Sequence, residues 1–379
     1  MGTGQLQTGG GRNYSIDLLR IISMFMIMIL HCNSHGGVLA MQTGYDTSSI
    51  FFHFLECLSI VSVNTFVLIS GYYLSAQKIR LSRVLKVMTT TWFYAWIWLL
   101  ICILLGVEIG KATIIKNIAP LSYATYWFVS LYIGMFLCAP FLNIDINNMT
   151  KRQHGILVLM LIAIFSVLPS ITPFSDTFGL KSSGLNLPWF IVLYIIAAYI
   201  QKYGFLKMKP WHWLAGYLGL SVILLFIWLT ISKILGISDY TDEWKGGINF
   251  YYFGYNTIFV LLSSVCLFRF FLEIKIGNKR VCTIIKTIAP LMIGVYLIHD
   301  NRLGRQFVWQ AFSNLGSSNF VNTLYILGYI LVLFVLCVNI EWLRTKVFLL
   351  LEKRNIYKKL LGRVDKLPDF FYDKMLHNK

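Results

Sequence analysis

Arg20 and His31 stand eleven positions apart in RIISMFMIMILH, a run that is otherwise apolar. On a helix turning about 100° per residue, that spacing is three turns plus roughly 20°, so both project from nearly one face. Along the axis they are separated by about 16 Å. Asp17 precedes Arg20 by three positions, where it can pair with the guanidinium on the same face. Each type suggests a chemistry. Imidazole has an unperturbed pKa of about 6.5 and suits a general base near neutral pH. The guanidinium is permanently charged and suits an anion. Ionisable groups inside a membrane-spanning run are costly and mark cavities or ligand routes.

Other stretches offer similar groups. FVLISGYY (Phe66–Tyr73) holds Ser70, Gly71 and Tyr72, and a Ser-Gly pair lets a ligand or a second backbone approach closely. IRLSRVLK follows, with Arg80 and Arg83 three apart and Lys78 and Lys86 beside them. Such a cluster suits a phosphorylated ligand, because guanidinium binds phosphate bidentately. YWFVSLYIGMFLCAPFL supplies Trp127 and Tyr132, GVYLIHD supplies His299, and His53 and Glu56 share one helix face. His35, His154, His212 and His377 fall in loops, at span edges or in the tail and carry little signal. Each feature also has a plain structural reading. Arg20 could snorkel to headgroups, His31 could bond a neighbouring helix, the Ser-Gly pair could serve packing, and the basic cluster could set topology.

The elements that must position these groups are membrane helices. The chain has 379 residues, 57% of them hydrophobic and 13% charged, which a soluble fold of this size could not cover. A span needs about 20 mostly apolar residues. Ten candidates lie near 15–33, 50–74, 88–106, 125–143, 155–171, 187–204, 211–235, 249–272, 287–300 and 323–343. With the N-terminus inside, 26 of the 33 Lys and Arg fall on inner segments and 7 on outer ones. That asymmetry predicts an all-α, polytopic, N-in/C-in protein. Residues 1–12 read as a flexible N-terminus, 13–345 as the ten-helix domain, and 346–379 as a basic cytoplasmic tail, in part an amphipathic surface helix. The net charge of +17 sits in short loops and the tail, which argues against nucleic acid. The seven Cys form neither a disulfide framework nor a CxxC metal spacing, so no metal is expected.

In their order and topology, these residues resemble the acyltransferase-3 family of integral membrane acyltransferases. The family's first helix carries Arg, ten residues, then His, here Arg20 and His31 after IDLLR. FVLISGYY resembles its Phe-rich Ser-Gly-Phe/Tyr motif, Arg80-Leu-Ser-Arg83 its cytoplasmic Arg-x-x-Arg, and YWFVSLYIG and GVYLIH its later patterns. The resemblance implies transfer of an acyl group, usually acetyl, from cytoplasmic acyl-CoA to a hydroxyl of a cell-envelope polysaccharide or lipid-linked glycan, in the cytoplasmic (inner) membrane. On that reading His31, Arg20 and Asp17 are catalytic, with His31 the base. Arg80, Arg83, Ser70, Gly71 and Tyr72 hold the acyl-CoA, and His299, Trp127, Tyr132, His53 and Glu56 face the acceptor. Membrane lipids are the remaining partner. The rival reading is a secondary transporter or flippase for a glycolipid or small solute, which ten spans and intramembrane Asp, Arg and His also fit.

Overall fold

The computed structural model describes residues 12–41, 45–77, 80–123, 125–171, 183–235, 254–312, 319–352 and 361–365. Helix α1 (Tyr14–Ser34) starts where the Asn13 side chain accepts the amide bonds of Ser15 and Ile16, and Asp17 lies in its positive first turn. The second predicted span is two helices, α2 (Thr47–Ser59) and α3 (Ser62–Leu74), separated at Ile60–Val61. Then come α4 (Leu81–Leu104), the short α5 (Lys111–Ile118) and α6 (Trp127–Asn148). Helix α7 (Lys151–Ile162) begins with a capping box from Thr150 and Gln153 and continues through a π turn at Ala163–Val167 into α8 (Leu168–Ile171). Helices α9 (Leu187–Tyr203), α10 (Pro210–Leu235) and α11 (Ile258–Glu273) follow. The ninth predicted span begins earlier than its hydropathy suggests. Helix α12 (Lys279–Ile288) leads through a 3-10 turn at Ala289–Leu291, containing Pro290, into α13 (Met292–His299). After the one-turn α14 (Arg305–Val308), α15 (Phe320–Glu352) closes the bundle.

Each of the ten predicted spans overlaps helix among the described residues. Eight are long and apolar enough to cross a membrane, while α9 has 17 residues and α11 has 16. Among the described residues there is no strand, and the chain is an all-α polytopic membrane protein. Outward positions such as Leu104, Leu159, Phe226, Leu331 and Leu343 remain exposed and apolar, as lipid contact requires. The expected N-terminal flexibility at 1–11, and most of the expected tail helix, lie outside the described residues. Arg12 is described and pairs with Asp17.

Helix α1 is central. It touches α2, α3, α11, α12, α13 and α15, so both faces of the Arg20–His31 run meet protein. Hydrogen bonds stitch each end of the bundle. At the Arg20 end, Ser15 Oγ donates to the Ile274 carbonyl at 2.8 Å, Asn143 Nδ2 to that of Leu74 at 3.0 Å, and Lys202 Nζ to that of Ile146 at 2.8 Å. At the His31 end, Trp98 Nε1 donates to Ile298 at 3.1 Å and Tyr126 Oη to Leu297 at 3.0 Å. Between them, buried Asn64 on α3 accepts from Trp189 Nε1 at 3.0 Å and donates to the Tyr255 carbonyl at 2.7 Å, tying α3 to α9 and the start of α11. Gly71 is part of this packing. A Cβ there would stand 2.9 Å from Tyr194 Cα and 3.0 Å from Ala197 Cβ, so α3 and α9 approach as closely as they do because the side chain is missing.

Candidate functional site

A cavity of about 1190 Å³ opens beside α1, and both Arg20 and His31 line it. The helical face inferred from their spacing is thus a cavity wall. At the Arg20 end of that wall, Asp17 Oδ1 takes a hydrogen bond from Arg20 Nη1 at 2.7 Å, and its other oxygen pairs with Arg12. The Arg20 guanidinium also lies 5.7 Å from the Tyr73 ring centroid. Asp17 is buried and Arg20 half-buried, so the carboxylate fixes a cation whose outer part stays open to the cavity.

His31 belongs to a denser cluster. Its Nδ1 is 3.0 Å from His299 Nε2 and 3.5 Å from Asp300 Oδ1. His35 Nε2 lies 3.4 Å from the same carboxylate oxygen, and Arg305 Nη2 lies 2.8 Å from it. His299 Nδ1 stands 2.6 Å from the Val295 carbonyl. A carbonyl only accepts, so that nitrogen carries the proton and a neutral His299 presents Nε2 as an acceptor. His31 must then donate from Nδ1, which leaves His31 Nε2 unprotonated. Asp300 lies just beyond α13. Burial opposes its charge, but His31, His35 and Arg305 hold its carboxyl well below the usual carboxylate range.

The remaining expected residues divide. Ser70, Trp127, Tyr132, His53 and Glu56 all line the cavity with Arg20 and His31. Trp127 stacks with Tyr255 at a centroid distance of 6.2 Å, and His53 stacks on Trp228 at 3.5 Å. Glu56 Oε2 accepts from Asn33 Nδ2 at 2.8 Å. His299 is fully buried and reaches the cavity through His31 rather than lining it. Gly71 and Tyr72 face neighbouring helices, Tyr72 meeting Phe268 edge-on at 5.7 Å. Arg80 and Arg83 stand outside the cavity lining, exposed at the start of α4, which begins seven residues before the predicted span. There Asp365 accepts bonds from Ser82 N and Oγ, each at 2.8 Å.

Sequence reasoning missed Asp300, His35 and Arg305. Asp300 follows His299 directly, but nothing periodic marks it, and His35 lies one helical turn beyond His31 in an apparent loop. The available signal was the i,i+4 step from His31 to His35. His31, His35 and Asp300 offer three ligand atoms within 4.8 Å of one another, the spacing a metal ion needs. Against a divalent ion, the Arg305 guanidinium already occupies the shared Asp300 oxygen and adds positive charge.

Compared with known proteins, the chain matches the acyltransferase-3 family model, described as an acyltransferase domain, over residues 13–342. No curated protein and no solved structure matches it.

Proposed function

The chain belongs to this acyltransferase family, and from that premise we propose that it moves an acyl group, acetyl in the first instance, from cytoplasmic acyl-CoA to a hydroxyl of a cell-envelope glycan or glycolipid. The protein sits in the cytoplasmic membrane with both termini inside and ten spans. The single observation that carries this reading is the cavity. Arg20 and His31 line one wall of it, about 16 Å apart along the helix axis, and His31 keeps an unprotonated Nε2. That length suits a pantetheine arm entering past Arg20 with its thioester at His31.

The transfer then runs as follows. His31 Nε2 takes the proton of the acceptor hydroxyl as the oxygen attacks the thioester carbonyl carbon. The carbon–sulfur bond breaks, and the departing CoA sulfur takes the proton back from His31. Ester and free thiol are the products, and the enzyme returns to its starting protonation. His299 fixes the productive tautomer from behind, through the 3.0 Å contact to His31 Nδ1. Asp300, 3.5 Å from that nitrogen, offsets the imidazolium charge while it exists. Arg20, held by Asp17, guides the donor, and Ser70 lies on its path. Arg80 and Arg83 receive the 3′-phospho-ADP group at the inner surface, where the α4 N-terminus adds its positive end. Trp127, Tyr132, His53 and Glu56 surround the acceptor.

The test is incubation of the purified protein with labelled acetyl-CoA and an acceptor glycan. Label on the glycan and release of CoA are expected. Solute flux in proteoliposomes without acyl-CoA, and no label transfer, would instead support a transporter.

A further inference from the structure

The cavity's charge is one-sided. Among the described residues its lining holds four cations, Arg20, Lys116, Arg302 and Arg305, and one carboxylate, Glu56. Arg20 belongs to the donor end, bound to Asp17. The other three line the cavity from α5, which follows α4, and from the segment after α13, which holds the Arg305–Asp300 pair beside His31. Arg305 is committed to Asp300. Among the described residues Lys116 and Arg302 have no ion pair; both line the cavity, Lys116 half-buried and Arg302 exposed.

Helix α5 shows that this is a built surface. Thr113, Lys116 and Asn117 fall on one helical face and all line the cavity. The helix is tied to the segment before α6, since the Lys116 carbonyl accepts from Thr125 Oγ1, a residue that also lines the cavity, at 2.8 Å. Asn117 is 1% exposed. Its Nδ2 is used by the Thr113 carbonyl, but its Oδ1 is buried with no hydrogen-bond partner. An orphaned buried acceptor costs free energy unless a ligand hydroxyl supplies the proton. Close by, the Trp127–Tyr255 and His53–Trp228 stacks offer flat faces to an amphipathic ring.

Building on the acyl-transfer reading, we propose that the acceptor is an anionic sugar, a saccharide bearing a carboxylate or a phosphate, whose acid group binds Lys116 and Arg302 while a ring hydroxyl donates to Asn117 Oδ1. A neutral sugar offers neither cation an ion pair. An anionic one completes them and so presents its remaining hydroxyls in a fixed orientation towards His31.

The experiment is calorimetric titration of the full chain in lipid nanodiscs with methyl glucoside, methyl glucuronide and glucose 1-phosphate. At least one anionic probe is expected to bind about tenfold or more tighter than the glucoside, with a preference that weakens as salt rises. Which of the two binds better separates a uronic-type carboxylate from a sugar phosphate. A K116Q/R302Q double variant should lose the preference, and N117A should weaken all three probes. Equal affinity for neutral and anionic probes, or no binding of either anion at millimolar concentration, overturns the proposal. Acyl transfer is read separately. Anion binding without label transfer from acetyl-CoA would sink the enzyme reading and leave the site standing. Equal label transfer to glucoside and glucuronide would do the reverse.

Discussion

The Glu341 and Asp300 regions of this bundle each bury a carboxylate beside an arginine, and they differ in what else is present. On α15, Glu341 takes two bonds from Arg344, both 2.7 Å, and a third from Tyr94 Oη at 2.7 Å. The rings of Phe93, Tyr94 and Phe348 all lie within 6 Å of the guanidinium, and Gly294 on α13 leaves the space that Glu341 fills. Every charge there has a partner, and none of these residues lines the cavity. Around Asp300 the balance is different. One oxygen serves His31, His35 and Arg305, while the other has no partner and the histidine it supports lines a cavity. A closed pair holds helices together, whereas an open one with a titratable ring has charge left to use. The same short helix, α13, contacts both, through Gly294 and His299.

The contrast can be broken by substitution. The largest effect should follow His31→Ala. Transfer should fall by about 10² to 10⁴, the usual contribution of a general base, with unchanged thermal unfolding. A folded, donor-binding variant that transfers at the wild-type rate would end the base assignment. Glu341→Ala should do the opposite, costing about 3–5 kcal/mol of stability by stranding Arg344, while protein that remains folded keeps its specific activity. Gly294→Ala should act on the same site. A Cβ would collide with the Glu341 carboxyl, and overpacking of that kind costs about 1–3 kcal/mol, seen as a lower melting temperature. Loss of transfer in either variant without loss of stability would dissolve the distinction between the two regions.

Asp300→Asn should sit between these extremes, lowering transfer more than stability. Its folded pKa is depressed, so the stabilisation from its charge is complete above about pH 4, the ordinary carboxylate value, and fades as pH falls through the lower folded value. The difference in melting temperature between the variant and the parent should therefore be level through neutral pH and shrink only in strong acid. The smallest effect is expected from Arg80→Gln with Arg83→Gln. Both side chains are exposed, so CoA affinity should drop several-fold, with a marked salt dependence and no change in the transfer step. Unchanged CoA affinity would remove the phosphate role.

What could be read from the sequence follows from where information is local. Lipid demands long apolar helices, so hydropathy located the eight helices that are long and apolar enough to span, and the α1 face needed only the helical angle between Arg20 and His31. The join at Ile60–Val61, the π turn after Ile162 and the short α5 depend on packing against neighbours, and no composition announces them. The cluster around Asp300 was hidden for a related reason. His31 and His299 are separated by 268 positions, and Asp300 and Arg305 flank a loop whose path only tertiary contacts define. Arg80 and Arg83 were conspicuous as a basic cluster, yet that pattern held no information on their distance from the cavity.

The lining's excess of positive charge has a consequence for the membrane itself. On the proposed function, a cytoplasmic donor meets an envelope acceptor in a polar passage through an insulating layer, and water in such a passage would conduct hydronium and sodium ions. Arg20 and Arg305 are paired with Asp17 and Asp300, whereas Lys116 and Arg302, which have no ion pair among the described residues, raise the energy of any cation that enters, as fixed positive charges do in pores that exclude protons. On the proposed reading, the cations that attract substrate thereby also keep the passage from discharging the membrane potential.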